Sequence, residues 1–382
     1  MSAIPVGHKQ TEVGVIPEDW AAKLLGSVIR LQRGFDLPYR NRRPGPIPII
    51  SSSGVCAYHD EPQAIGPGVV TGRYGTIGEV FFVDENYWPL NTTLFVKEFK
   101  GNDPLFISFL LRTIDFHSHS GKSGVPGINR NDLHELVVAC PPFVEQGIIA
   151  EALSDADALI ESLGQLVNKK RHLKQGAAQE LLTRKKRLPG FSGDWEVKRF
   201  GDVVAPRNER IDPWESGVQE FCIELEHIGS STGALLGNTS TGENSSLKSV
   251  FRAGDVLFGK LRAYLRKYWR ADRAGVCSTE IWVLAPRENL ITGEYLFQLV
   301  QTDKFIEVAS YSYGTHMPRS DWTVVKNYEL SIPLDPEEQT AIANALSDMD
   351  SEIAELEAKL AKARTIKQGM MHQLLTGKIR LI

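Results

Sequence analysis

The chain has 382 residues, more than the roughly 250–300 at which one core stops growing, so two or more domains are expected. With 42% hydrophobic and 24% charged residues, 33 Gly and 20 Pro, it is neither collagen-like, nor disordered, nor a coiled coil alone. A net charge of −4 argues, by itself, against a protein that coats nucleic acid, so the distribution of charge has to carry more weight than its sum.

Taken in chain order, the first segment with a signature is IPEDWAAKLLGSVI (16–29). Short β-like runs follow, GEVFFV (78–83) and TTLFVKEF (92–99), divided by Gly and Pro, which predict a sheet-bearing α+β domain over 1–144. Residues 145–184 predict a long helix. Ile149, Leu153, Ala156, Ile160, Leu163 and Val167 alternate by four and three, and Lys170 and Lys174 continue the stripe before Ala177 and Leu181. A second α+β domain over 185–335 begins with FSGDWEVKRFGDVV (191–204) and carries the runs GDVLFGKL (254–261) and TEIWVLA (279–285). A second helix over 336–377 repeats the heptad stripe with Ile342, Leu346, Met349, Ile353, Leu356, Leu360, Ala363, Lys367, Met370 and Leu374.

These elements are a duplication. Residues 152–188 align without a gap to 345–381, with 18 of 37 positions identical. The opening segments echo each other too: Asp19, Trp20, Lys23, Gly26 and Val28 match Asp194, Trp195, Lys198, Gly201 and Val203. Each half is thus a divergent domain followed by a repeated helix, and LLTGKIRL (374–381) stands where a join back to VIPEDW (15–20) would close a ring. The expected fold is α+β, with two divergent domains in pseudo-twofold repeat separated by an antiparallel pair of long coiled-coil helices.

Charge sets the antiparallel direction. Residues 145–161 carry Glu145, Glu151, Asp155, Asp157 and Glu161 and no Lys or Arg, whereas 165–188 carry eight basic residues. The second helix is likewise acidic from Asp335 to Glu357 and basic from Lys359 to Arg380. A helix macrodipole favours that polarity, but only over its terminal turns; antiparallel packing sets each acidic half against a basic one. Lys169, Lys170, Arg171, Lys174 and Arg184 to Arg187 are candidates for a polyanion partner, against the alternative of a solvated face.

The order of these parts resembles the specificity (S) subunit of type I restriction-modification systems. The resemblance covers nearly the whole chain and is carried by GVIPEDW (14–20), GFSGDW (190–195), SGVPGINRNDLHELVVACPPFVEQ (123–146), YGTHMPRSDWTVVKNYELSIPLDPEEQ (313–339) and the two KQG...LLT helices. TGRYGTIGEVFFV (71–83) and WPLNTTLFV (88–96) also look like that family's first target-recognition domain. The resemblance implies target-recognition domains at 1–144 and 185–335 and conserved helices at 145–184 and 336–377. It implies a non-catalytic subunit that reads a bipartite, asymmetric site on double-stranded DNA, with the helices setting the spacer. The implied partners are two methyltransferase (modification) subunits and two restriction/translocase subunits. S-adenosylmethionine, ATP and Mg are expected in those partners and no cofactor in this chain.

Within the recognition domains, apolar residues of the β-like runs are read as core, and polar or basic residues on loops as contacts. Arg and Lys pair with guanine, Asn and Gln with adenine. The candidates are Arg73, Tyr74, Thr76, Lys122, Ser123, Asn129 and Arg130 in the first domain. In the second they are Lys260, Arg262, Tyr264 and Arg266 of GKLRAYLRKYWR, with His316, Arg319 and Ser320.

Three strings are discounted. GKS (121–123) has Phe116 where a P-loop needs Gly. GRYGTIG (72–78) is not a dinucleotide fingerprint between strand and helix. CPPF (140–143) places Cys140 where an adenine methyltransferase needs an Asp or Asn acceptor. Cys56, Cys140, Cys222 and Cys277 lie far apart without a CxxC, so free thiols are expected and no metal site. No run of 18 apolar residues and no apolar h-region in MSAIPVGHKQ predict a cytoplasmic protein without membrane contact. The competing readings are an enzyme in its own right, for which no cofactor or metal constellation is visible, and a two-domain coiled-coil scaffold that binds partners other than DNA.

Overall fold

The computed structural model describes residues 4–120, 127–242, 246–311 and 318–381. It divides into two units: Met1–Gly164 with Ala358–Ile382, and Gln165–Glu357.

The first unit contains β1 (Ala21–Leu24), β2 (Arg30–Arg33), β3 (Ile47–Ser51), β4 (Gly54–His59), β5 (Gly68–Gly72), β6 (Val80–Val83), β7 (Trp88–Pro89) and β8 (Thr93–Glu98). Its main sheet is antiparallel in the order β2-β8-β5-β6, and β4-β3-β7 form a smaller sheet. β5, GVVTG, is buried along its whole length, so it reads as a continuous apolar run and not as an alternation. Against the main sheet lies α1 (Pro104–Leu111), whose PLFISFLL is apolar on nearly every face and is buried from Phe106 to Leu111. Asp103 caps it by accepting from the Phe106 amide at 2.8 Å, with Pro104 at the first helical position. After α2 (Arg130–His134), β9 (Val137–Cys140) returns to pair with β1, and α3 (Phe143–Leu181) begins.

The second unit repeats this plan with unrelated side chains. Its strands are β10 (Trp195–Arg199), β11 (Val204–Pro206), β12 (Arg210–Ile211), β13 (Cys222–Ile223), β14 (Lys248–Phe251), β15 (Val256–Gly259), β16 (Tyr268–Arg270), β17 (Gly275–Ser278) and β18 (Ile281–Pro286). The sheet β11-β18-β15-β16 has the topology of β2-β8-β5-β6, and β12-β14-β17-β13 form a second sheet. The helices α4 (Gly293–Val300), α5 (Asp303–Ser310) and α6 (Trp322–Val325) precede β19 (Glu329–Pro333), which pairs with β10 as β9 does with β1. α7 (Pro336–Leu374) follows.

α3 and α7 are each 39 residues long. The four-three stripe is the buried or half-buried side of both, from Ile149 and Leu153 to Leu181 and from Ile342 and Leu346 to Leu374. In the second unit Lys170 meets Glu352 (2.5 Å), Arg171 meets Glu357 (2.6 Å) and Lys174 meets Asp350 (2.5 Å). In the first, Lys367 meets Asp157, which also takes Arg112. From Lys174–Asp350 to Arg187–Glu338 in the second unit, and from Glu145–Arg380 to Asp157–Lys367 in the first, numbers fall on one partner as they rise on the other, so the helices run antiparallel within each unit. Lys174 and Lys367 occupy the same repeat position, as do Asp157 and Asp350. The lysines on the stripe are therefore not defects: a paired polar group at a seam position fixes register at some cost in stability.

The repeated DW, EQ and RL positions have one physical explanation. In the first unit the Trp20 indole N–H donates to Glu145 (2.8 Å), while Arg380 donates to Glu145 through Nε (2.9 Å) and Nη2 (2.7 Å) and also clasps Asp19. In the second, Trp195 donates to Glu338 (3.3 Å) and Arg187 clasps it through Nε (2.9 Å) and Nη2 (2.6 Å). Gln146 and Gln339 accept from the amides of Asp103 and Thr292, the capping residues of α1 and α4. Each carboxylate is buried and matched by charged and neutral donors, the condition under which a buried charge is tolerated.

Candidate nucleic-acid interface

Residues 73–79 form the turn of the β5–β6 hairpin, so GRYGTIG is a strand-to-strand loop and not a phosphate loop before a helix. The turn is held tightly. A Cβ at Gly72 would fall 1.8 Å from the Thr76 carbonyl oxygen, and the amides of Arg73 and Tyr74 both donate to Thr92 O. The Ile128 amide donates to Arg73 O at 3.0 Å, tying the segment before α2 to the hairpin. On this base Tyr74 and Thr76 are exposed, and the Arg73 guanidinium lies 4.5 Å from the centre of the Tyr74 ring. Such a stack leaves N–H groups at the rim and keeps the cation in one orientation.

The β15–β16 loop stands at the same place in the second sheet. The Ser320 amide donates to Lys260 O (2.8 Å) as Ile128 does to Arg73, and the segment before α6 bridges the loop through Leu261 and Arg319. Arg73 and Lys260 are therefore equivalent, as are Ile128 and Ser320. GKLRAYLRKYWR is not one strand with alternating charges: it leaves β15, turns at Ala263–Leu265 and re-enters β16. The turn is flanked by Arg262 and Arg266, both left-handed, with φ of 54° and 53°. The first hairpin meets the same demand with Gly75 and Gly78. Tyr264 is exposed, and the Arg262 side chain is exposed with no ion pair among the described residues.

Several expected contacts have other occupations. Ser320 is 8% exposed and its hydroxyl donates to Ala309 O (2.6 Å); it sits where Ile128 is core and offers nothing to a ligand. Arg266 pairs with Asp303 and holds that carboxyl below its usual range, and Arg319 clasps Glu280 through two bonds (2.9 and 3.1 Å). The Asn129 side chain caps α2 by accepting from the Asn131 amide, while Arg130, next to it, is exposed. Arg130 opposes the helix dipole at the first turn, so local helix stability does not account for it. Lys122, Ser123 and His316, like the discounted GKS, lie outside the described residues. Among the basic residues of α3 and the turn after it offered for a polyanion, Lys170, Arg171, Lys174 and Arg187 are neutralised by Glu352, Glu357, Asp350 and Glu338.

Two further loops were not singled out in the sequence. PYRNRRPG (38–45) follows β2 and exposes Tyr39 with Arg42 5.7 Å from its ring centre; PRNERIDPW (206–214) follows the equivalent β11 and exposes Arg210 and Trp214. The signal was there, an arginine-rich turn with an exposed aromatic after corresponding strands. Among the described residues no group of three His, Cys, Asp or Glu could hold a metal, and no helix is long and apolar enough to cross a membrane. Cys140, Cys222 and Cys277 are buried free thiols; Cys56 is free and exposed.

The sequence matches the type I restriction modification DNA specificity domain over residues 17–169 and 192–363. It is 24% identical to the type I restriction enzyme MjaVIII specificity subunit of Methanocaldococcus jannaschii, over 72% of this chain and 70% of that one. It is 23% identical to the EcoDI specificity subunit of Escherichia coli, over 96% and 90%. In fold it is similar to the S subunit of a type I restriction-modification system from M. genitalium, with a TM-score of 0.63, 15% identity, and 93% and 96% of the two chains covered. A chain solved for complex assembly and conformational transition of the type I R-M system gives a TM-score of 0.54 at 16% identity, over 95% and 99%.

Proposed function

We propose, from the premise that this chain belongs to the type I restriction modification DNA specificity family, that its two units read the two halves of a bipartite, asymmetric DNA site. The observation that supports this reading is the pair of equivalent hairpins: one sheet topology, used twice, carries GRYGTIG in one unit and KLRAYLRK in the other. Identical scaffolds with different loop chemistry suit two different half-sites, since base edges are distinguished by the donors and acceptors presented to them. In this reading Arg73, Tyr74, Thr76, Arg130, Lys260, Arg262 and Tyr264 face DNA, Arg266 and Arg319 shape the second loop through Asp303 and Glu280, and Asn129 orients Arg130. The continuous helices α3 and α7 set the spacer.

The chain itself performs no catalysis in this proposal. Two methyltransferase subunits bring S-adenosylmethionine to the adenines, two restriction subunits bring ATP and Mg, and the complex works in the cytoplasm. The test is genome-wide mapping of N6-methyladenine in cells expressing this chain with its modification subunit, against cells lacking it. A chain-dependent two-part motif with a fixed spacer is expected. A motif with one half would refute the two-reader scheme, and no chain-dependent methylation from an assembled complex would favour a scaffold that binds something other than DNA.

A further inference from the structure

The turn that leaves α3 and the turn that leaves α7 are the same turn. Lys186 N–H donates to Glu180 O (3.1 Å) in the first, and Ile379 N–H to Gln373 O (3.3 Å) in the second. Both need a left-handed residue at one position, Arg184 (φ 60°) in the first copy and Gly377 (φ 71°) in the second. Glycine is the unstrained choice at such a helix end. At 377 it is also enforced by packing, because a Cβ there would lie 2.4 Å from Pro17. The first copy instead keeps an arginine in a conformation that L-residues resist.

The surroundings of Arg184 do not explain it. Arg184, Lys185 and Lys186 are all exposed, and among the described residues none is in an ion pair, whereas Lys170, Arg171, Lys174 and Arg187 are all paired. Complementing the helix dipole would require only a cation just beyond the helix end, which Lys185 and Lys186 supply without strain. The corresponding positions of the second copy are Gly377, Lys378 and Ile379, with the Lys378 ammonium 2.9 Å from His372. The first copy alone therefore carries three consecutive free cations, one of them held against a backbone preference. Strain retained against an available alternative is a mark of use.

We propose that Arg184, Lys185 and Lys186 contact the phosphate backbone of the DNA, apart from the base-reading hairpins; this rests on the DNA-reading function proposed above. Arginine suits a phosphate because its planar fork gives two parallel bonds, and lysine because it is a compact point charge. Such contacts carry no sequence information, so the patch raises affinity without altering the motif.

The test compares wild-type chain, assembled with its modification subunit, with R184G and with the triple variant R184G/K185A/K186A. Binding to a mixed-sequence duplex and to a duplex carrying the mapped motif is measured from roughly 50 to 200 mM salt, where each phosphate contact contributes about 0.9 to the slope of log K against log salt. R184G is expected to melt at a higher temperature than wild type and yet to bind DNA with a slope shallower by about 0.9. The triple variant is expected to lose about 0.9 for each contact removed, with an unchanged methylation motif. R184G relieves strain, so it remains informative even if the triple variant fails to fold. Unchanged slopes in R184G, while wild type still binds its motif, would overturn the inference and leave the DNA-reading function standing. Loss of the modification subunit from the triple variant, with unchanged slope, would also overturn it by assigning the patch to a protein partner. Failure of wild type to bind either duplex would remove the inference together with the function beneath it.

Discussion

Arg187→Ala should be among the most damaging single changes outside the apolar core. Glu338, whose side chain is 0% exposed, accepts from Arg187 at 2.9 and 2.6 Å and from the Trp195 indole at 3.3 Å. Truncating Arg187 leaves a buried carboxylate with one long neutral hydrogen bond among the described residues, and breaking a buried pair from one side costs about 3–5 kcal/mol. For a unit of this size each kcal/mol lowers the melting temperature by about 2–4 °C, so a fall of about 6–20 °C is expected. The assay is thermal unfolding followed by circular dichroism, read beside R187M/E338L. Removing both charges orphans only the neutral Trp195 indole N–H, at about 1–3 kcal/mol, so that double variant should recover part of the loss. A loss under about 1 kcal/mol in R187A, or a double variant no better than the single one, would refute the claim that this contact is a buried, mutually dependent pair.

Arg262→Gly should move stability and recognition in opposite directions. Relief of the left-handed backbone raises stability by about 1–2 kcal/mol, while loss of a base contact costs about 1–3 kcal/mol and relaxes one position of the methylated motif; melting and motif mapping on the same protein check both. Asp303 lies below the usual carboxylate range because of Arg266, so its contribution is present above 3.8 and is lost as pH falls through the lowered value. D303N should therefore flatten the acid limb of urea midpoint against pH, by under about 1 kcal/mol since the pair is largely exposed. Burial pushes the Cys222 thiol up to about 11 and raises those of Cys140 and Cys277, so native protein near neutral pH should be alkylated by iodoacetamide at Cys56 alone, as peptide mass mapping would show.

Much of the scaffold was legible because it is periodic. The stripe Ile342, Leu346, Met349, Ile353 and the duplicated DW and RL strings encode burial and contacts that any helix pair of this kind must satisfy. The four β-like runs lie on β6, β8, β15 and β18 for a similar reason: β-branched and aromatic residues between turn formers have few other uses. Loop chemistry was less legible. Ser320 looks like a polar contact until the hydrogen bond from its amide to Lys260 O makes it the equivalent of Ile128, inside its own domain, a relation that no sequence identity records. The basic stretch from Lys169 to Arg187 shows a different gap. Its charge polarity pointed to antiparallel complementarity, yet Lys170, Arg171, Lys174 and Arg187 still stood among the polyanion candidates, because which cation meets which acid depends on a register between residues about 150 to 190 positions apart.

The composition of the first unit has a consequence for biosynthesis. Leu374 and Leu375 lie in its core, and Arg380 neutralises its buried Glu145, so residues 1–164 lack part of their interior until 358–382 have been made. Between the two stretches lies the whole contiguous second unit, Gln165–Glu357. At about 5–20 residues per second the ribosome takes roughly 10–40 s to cross it. The half that emerges first is therefore the half that finishes folding last, exposed through that interval to proteases and to other nascent chains, and a premature stop after Glu357 would strand it while leaving the later-made half whole.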